Sequence, residues 1–125
     1  MIESTAHAVT SPEDLRRRTK EFALRVIKLF RALPKTEEAR ILGRQVLRSG
    51  TGVAANYRSA CRGRSRADFI SKIGITVEEA DETAFWLELI VDAGMIKKSK
   101  LESLITEANE LVRIFQATRT TARSH

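Results

Sequence analysis

Residues 36–63 read TEEARILGRQVLRSGTGVAANYRSACRG. With Arg40 set at 0° on a helical projection, Leu42, Val46, Val53, Tyr57 and Ala60 fall between about 200° and 260°. One narrow apolar side over so long a stretch predicts a single amphipathic helix over 37–63, about 40 Å long. Thr36 suits its N-cap, and Glu37 and Glu38 sit well at its positive end. The opposite side is basic. Arg40, Arg44 and Arg48 step through about 0°, 40° and 80°, and eighteen residues later Arg58, Arg62 and Arg66 repeat those angles if the helix stays regular. Gly50-Thr51-Gly52 is the irregular part, since two glycines cost about 1–2 kcal/mol against alanine in a helix. A break there is one outcome. The following Ala54 and Ala55 extend the run of small side chains and favour the other, a close approach by a neighbouring backbone.

The flanks repeat the same grammar. Ser11 suits an N-cap, Pro12 the first helical position, and Asp14 completes a capping-box-like pattern. Leu15, Phe22, Val26, Leu29, Phe30 and Leu33 follow at helical spacing, and Pro34 stops that helix. Ser65 with Asp68 opens a third helix, which runs to about Ala93 and ends at Gly94. Ser99 and Glu102 read as a capping box for a fourth, whose stripe is Leu101, Leu104, Ile105, Ala108, Leu111, Val112 and Phe115. Residues 1–10 and the Thr/Arg/Ser tail over 119–125 are expected to be disordered. Four helices with short connections over 11–118 predict an all-α, antiparallel up-down four-helix bundle.

A chain of 125 residues is one domain and can bury about two thirds of its unfolded surface. Its one cysteine, Cys61, excludes a disulfide framework and reads as a buried structural thiol. Its two histidines, His7 and His125, lie at the chain ends, which leaves little room for histidine catalysis or transition metals. No apolar run approaches the ~18 residues of a membrane span, and no secretory signal is visible. A cytoplasmic protein without membrane association is expected. The net charge of +6 is unevenly spread. Residues 1–66 carry 15 basic and 6 acidic side chains, whereas 67–125 carry 7 and 10.

Two readings compete for the arginine stripe. One is a solvated or partner-paired face; the other is a surface that tracks phosphates. No aromatic set is interleaved with the arginines, so backbone or shape reading of structured RNA fits better than a single-strand stacking platform. On the third helix, Glu78, Glu79, Asp81, Glu82, Glu88 and Asp92 read as salt-bridge partners for arginines of the second, in the same or another subunit. The absence of internal histidine argues against a di-metal bundle centre. Ser49 and Thr51 lack the spacing and lysine of a phosphate-binding loop. Asn56 and Tyr57 are expected to hydrogen-bond within the bundle or across an interface. The third helix is apolar on two sides: Phe69, Ile73, Ala80, Ala84, Leu87 and Val91 on one, and Ile75, Phe85, Trp86 and Leu89 elsewhere. The second set is expected to form an oligomer interface.

The run Gly50-Thr51-Gly52-Val53-Ala54-Ala55-Asn56-Tyr57-Arg58, then Ser65-Arg66-Ala67-Asp68-Phe69-Ile70, then Glu78-Glu79-Ala80-Asp81-Glu82-Thr83 with Trp86-Leu87-Glu88-Leu89, resembles the bacterial 23S rRNA intervening-sequence proteins. The resemblance covers about residues 12–118. It implies an antiparallel four-helix bundle assembled as a ring-like homopentamer, and it brings no catalytic motif. A related accessory protein of diversity-generating retroelements, similar in fold and pentameric, binds nucleic acid and a reverse transcriptase through a basic surface.

The combined expectation is a non-enzymatic homopentamer with no cofactor and no metal. It associates with RNA or another nucleic acid through Arg40, Arg44, Arg48, Arg58, Arg62 and Arg66. Its subunit contacts run through Ile75, Phe85, Trp86 and Leu89. The alternative is an adaptor hub that recruits a protein partner without nucleic acid.

Overall fold

The computed structural model describes residues 10–124. Ser11 ends the extended entry, and its Oγ accepts the Asp14 N–H at 3.0 Å, which opens α1 over Pro12–Ala32. Leu33, held out of helical geometry by the proline after it, closes α1. Thr36 Oγ1 accepts the Ala39 N–H at 3.2 Å and opens α2 over Glu37–Cys61. Ser65 Oγ accepts the Asp68 N–H at 3.0 Å and opens α3 over Arg66–Asp92. Gly94 then takes φ 77°, which only glycine adopts without strain. The Gly94 N–H reaches the Val91 carbonyl and the Met95 N–H reaches that of Ile90, satisfying two carbonyls left over at the end of α3. α4 follows over Lys98–Arg123.

Three boundaries differ from the expectations. Ser99 does not cap α4: the helix begins at Lys98, with Lys97 at the N-cap and no side-chain cap bond. α2 ends at Cys61 with Arg62 as its C-cap, two residues short of the expected end at 63, and Arg66 falls in the first turn of α3, as the Ser65 cap implied. α4 runs on through Arg123, so residues 119–123 are helical where a disordered tail was expected. This stretch passes over α3, where the Arg119 guanidinium lies 3.2 Å from the place a Cβ on Gly74 would occupy. The expected disorder over 1–10 falls, apart from Thr10, outside the described residues, as does His125.

Each helix packs along its length against its sequence neighbours, while α1 and α4 meet over a much shorter stretch. Among the described residues the diagonal pairs do not approach backbone to backbone, so each helix stands at a corner. Glycines set the α1–α2 contact. A Cβ on Gly50 would lie 2.7 Å from Val26 Cγ2, and one on Gly43 would lie 2.9 Å from Leu33 Cδ1. α2 stays helical through Gly50 and Gly52, so the small residues permit close approach and do not break the helix. The α2–α3 contact buries a hydroxyl pair, Thr83 Oγ1 donating to Ser49 Oγ at 2.9 Å. The short α1–α4 seam is clasped by Arg18, whose guanidinium bonds Glu107 at 2.8 Å and Glu110 at 2.9 Å.

The core is the overlap of four stripes. Phe22 and Val26 come from α1, Val46 and Val53 from α2, Ile73, Leu87 and Ile90 from α3, and Leu111 and Phe115 from α4. Across its centre the rings of Tyr57 and Phe115 lie 5.0 Å apart. Burial, followed by the neighbouring Cys61 thiol, pushes the Tyr57 phenol well above its ordinary range. Cys61 itself is free and half-buried, not fully buried. Asn56 donates to the Gly52 carbonyl within its own helix, at 2.8 Å.

Candidate nucleic-acid interface

α2 occupies a corner between α1 and α3, and its outer arc carries the arginines. Arg40, Arg44 and Arg58 are exposed on it, and Arg62 continues the line at the C-cap. Arg48 is different. Its guanidinium reaches Glu79 at 3.4 Å, also bonds Glu82, and takes the Gln45 side-chain oxygen at 3.0 Å. It is thereby paired within the chain, as the acidic run of α3 suggested for part of the set. Arg66 lies exposed on α3, beyond the turn, and off the α2 line. The six arginines are therefore not one stripe: four follow α2, one is paired to α3, and one belongs to α3.

The sequence reading missed that α1 supplies the other bank. Arg16 and Lys20 line a groove with Arg58 and Arg62, beside Thr51 and Ala54. At the far end Arg31 and Lys35 line a second concavity with Arg40 and Arg44. A signal existed, because Arg16, Lys20 and Arg31 fall within about 60° of one another on a helical projection. Among the described residues none of these eight cations forms an ion pair. The basic surface is thus the seam of α1 and α2, with two stations centred about 27 Å apart along α2.

The outer face of α3 is its complement. Glu78, Asp81, Glu88 and Asp92 are exposed there. Ile75 and Phe85 are 41% and 52% exposed, while Trp86 and Leu89 are half-buried. Phe85 packs edge-on to Trp86 at 5.0 Å, and Trp86 Nε1 donates to Glu82 at 3.0 Å. Trp86 also leans on the core, so the four residues are not equally available. Among the described residues no group of three His, Cys, Asp or Glu side chains is placed to hold a metal ion. No helix among them is long and apolar enough to cross a membrane.

Glu79 sits under Arg48 and over Gly52, whose absent side chain makes room for it. Burial raises its pKa, Arg48 opposes that, and Glu82 and Glu78 add to it. A carboxyl whose folded pKa exceeds its unfolded one weakens the fold above that pKa, and the penalty fades as pH falls through it. Glu79→Gln is therefore expected to gain melting temperature relative to the parent chain as pH rises from 4 to 7. Thermal unfolding at both pH values checks this; a variant that loses ground toward pH 7 would show that the Arg48 pair dominates.

The comparisons agree with this architecture. A crystal structure of a protein of unknown function from the S23 ribosomal protein family of Bacteroides thetaiotaomicron is similar to the chain, with a TM-score of 0.81 and 33% identity. The similarity covers 87% of this chain and 97% of that one. The chain matches no curated protein. The family model for 23S rRNA-intervening sequence proteins matches residues 14–117, which spans all four helices, and the chain belongs to that family.

Proposed function

We propose that the protein is a non-enzymatic, cytoplasmic module that associates with RNA or another nucleic acid through the basic seam of α1 and α2. The observation that carries this reading is the set of cations at Arg16, Lys20, Arg58 and Arg62, joined by Arg31, Lys35, Arg40 and Arg44, none ion-paired among the described residues. Cations left without an ion pair, aligned along one seam, are what phosphate neutralisation requires. Affinity is expected to fall with salt at a log–log slope near the number of phosphates engaged. Replacing Arg58 and Arg62 together with glutamate is expected to weaken binding by two orders of magnitude or more and to flatten that slope. Replacing Arg48 with glutamine, which removes a charge already paired, should change binding little. Fluorescence anisotropy with labelled RNA across a salt series reads both; unchanged affinity in the Arg58/Arg62 variant would remove the seam from consideration.

The apolar patch on α3 supports self-association, and the family resemblance sets the expected number at five. An aspartate at Phe85 or Trp86 would bury an unpaired charge in that contact, at several kcal/mol. Phe85→Asp and Trp86→Asp are expected to give monomers or insoluble protein in light scattering; a soluble, unchanged oligomer from both would place the contact elsewhere. The same patch favours the adaptor reading, whose sign is a protein partner retained after nuclease treatment.

A further inference from the structure

We infer that the C-terminal half of α2 is a ridge shaped for the major groove of a B-form duplex, so that the nucleic acid taken by the basic seam is double-stranded DNA. This rests on the nucleic-acid reading above and narrows it.

The ridge follows from the corner position of α2. Its outward crest carries small side chains one turn apart, Thr51, Ala55 and Ser59, with Arg58 and Arg62 on the same arc. A concavity runs along each flank, and the two share Ala55, Arg58 and Arg62. The flank toward α1 holds about 740 Å³ and brings in Arg16 and Lys20. The flank toward α3 holds about 730 Å³ and brings in Arg64 and Lys72. The one carboxylate lining either concavity is Asp68, which holds Lys72 at 3.4 Å. Cations therefore stand on both sides of a narrow crest, as two phosphate walls would require.

Dimensions select the duplex. A helix with its side chains is about 10–12 Å across, and the B-form major groove is about 12 Å wide. Packed helices lie about 8–10 Å apart, so the α1 and α3 cations stand close beside the crest on its two flanks. The A-form major groove is too narrow to admit the ridge, and its shallow minor groove would leave the flanks empty. A single strand would need exposed aromatic rings. Phe85, the exposed aromatic residue among the described ones, lies on α3 and lines neither concavity.

The test compares, on the full chain, a DNA duplex, an RNA duplex and a single strand of one sequence by anisotropy at low and high salt. The DNA duplex is expected to bind at least about tenfold more tightly than either other form. Ala55→Glu, at an exposed helical position, is expected to cut duplex affinity at least about tenfold with helical content unchanged by circular dichroism. Equal or tighter binding of the RNA duplex or single strand overturns this inference and leaves the nucleic-acid reading standing. Parent-like binding by a folded Ala55→Glu variant also overturns it. Failure to bind any of the three at low salt overturns both.

Discussion

Replacing Gly50 with alanine is expected to destabilise the protein by about 1–3 kcal/mol, although alanine is the better helix former by about 1 kcal/mol. The new Cβ would meet Val26 Cγ2 at 2.7 Å, Cγ1 at 2.9 Å and Cβ at 3.1 Å. Those three atoms belong to one β-branched, fully buried side chain, so no rotation of Val26 clears them all. α1 and α2 would have to separate, and the loss would spread to the neighbouring Gly43 contact. Gly52 supplies the control. A Cβ there meets the end of the flexible Glu79 side chain at 3.1 Å, and Gly52→Ala is expected to be neutral or stabilising by up to about 1 kcal/mol. Combining Gly50→Ala with Val26→Ala should cost less than the sum of the two single changes, with a coupling of about 1 kcal/mol or more. Urea unfolding of the four variants measures all of this. Equal stability of Gly50→Ala and Gly52→Ala would mean that α1 and α2 do not depend on close approach.

The helix starts at Ser11, Thr36 and Ser65 were legible because each is a local event, a hydroxyl bonding an amide three residues on. The stop at Gly94 is equally local. Ser99 and Glu102 misled because a capping box needs a free N-cap, and the turn after Gly94 returns the chain to helical geometry one residue before Ser99. The last helical turns were missed because threonine-rich sequence has weak intrinsic propensity. Arg119 there lies over Gly74 of α3, a neighbour distant in sequence.

The site divides the same way. The period of Arg40, Arg44 and Arg58 is a property of α2 alone, so the sequence shows it. The pairing of Arg48 depends on how α3 registers against α2, fixed by Ser49 against Thr83, and no pattern within α2 carries that information. Arg16 and Lys20 were hidden by Arg17, Arg18 and Arg25, which surround them in sequence. Only the structure separates these: Arg17 goes to Asp14 and Glu21, Arg18 to the α4 acids, and Arg25 to Ser103. The seam cations are among those that form no ion pair within the described residues.

Phe115→Ala is expected to cost about 3–5 kcal/mol, the largest loss of any single truncation considered, against a total near 5–15 kcal/mol for a domain. The ring is fully buried and stacks obliquely on Tyr57 from the diagonal helix, at 5.0 Å. Backbones on that diagonal are too far apart to collapse into the space, so the cavity would stay open rather than be refilled. Phe115→Leu keeps most of the volume and should lose far less. Chemical denaturation gives both values, and a Phe115→Ala loss under about 1 kcal/mol would show that the bundle can repack across its centre. The same experiment guards the functional one. Arg58 and Arg62 are exposed and are not members of this core, so their glutamate variants should unfold at nearly the parent denaturant concentration while losing nucleic acid. A variant that lost both would report on folding, and only the separation of the two assigns the arginines to binding.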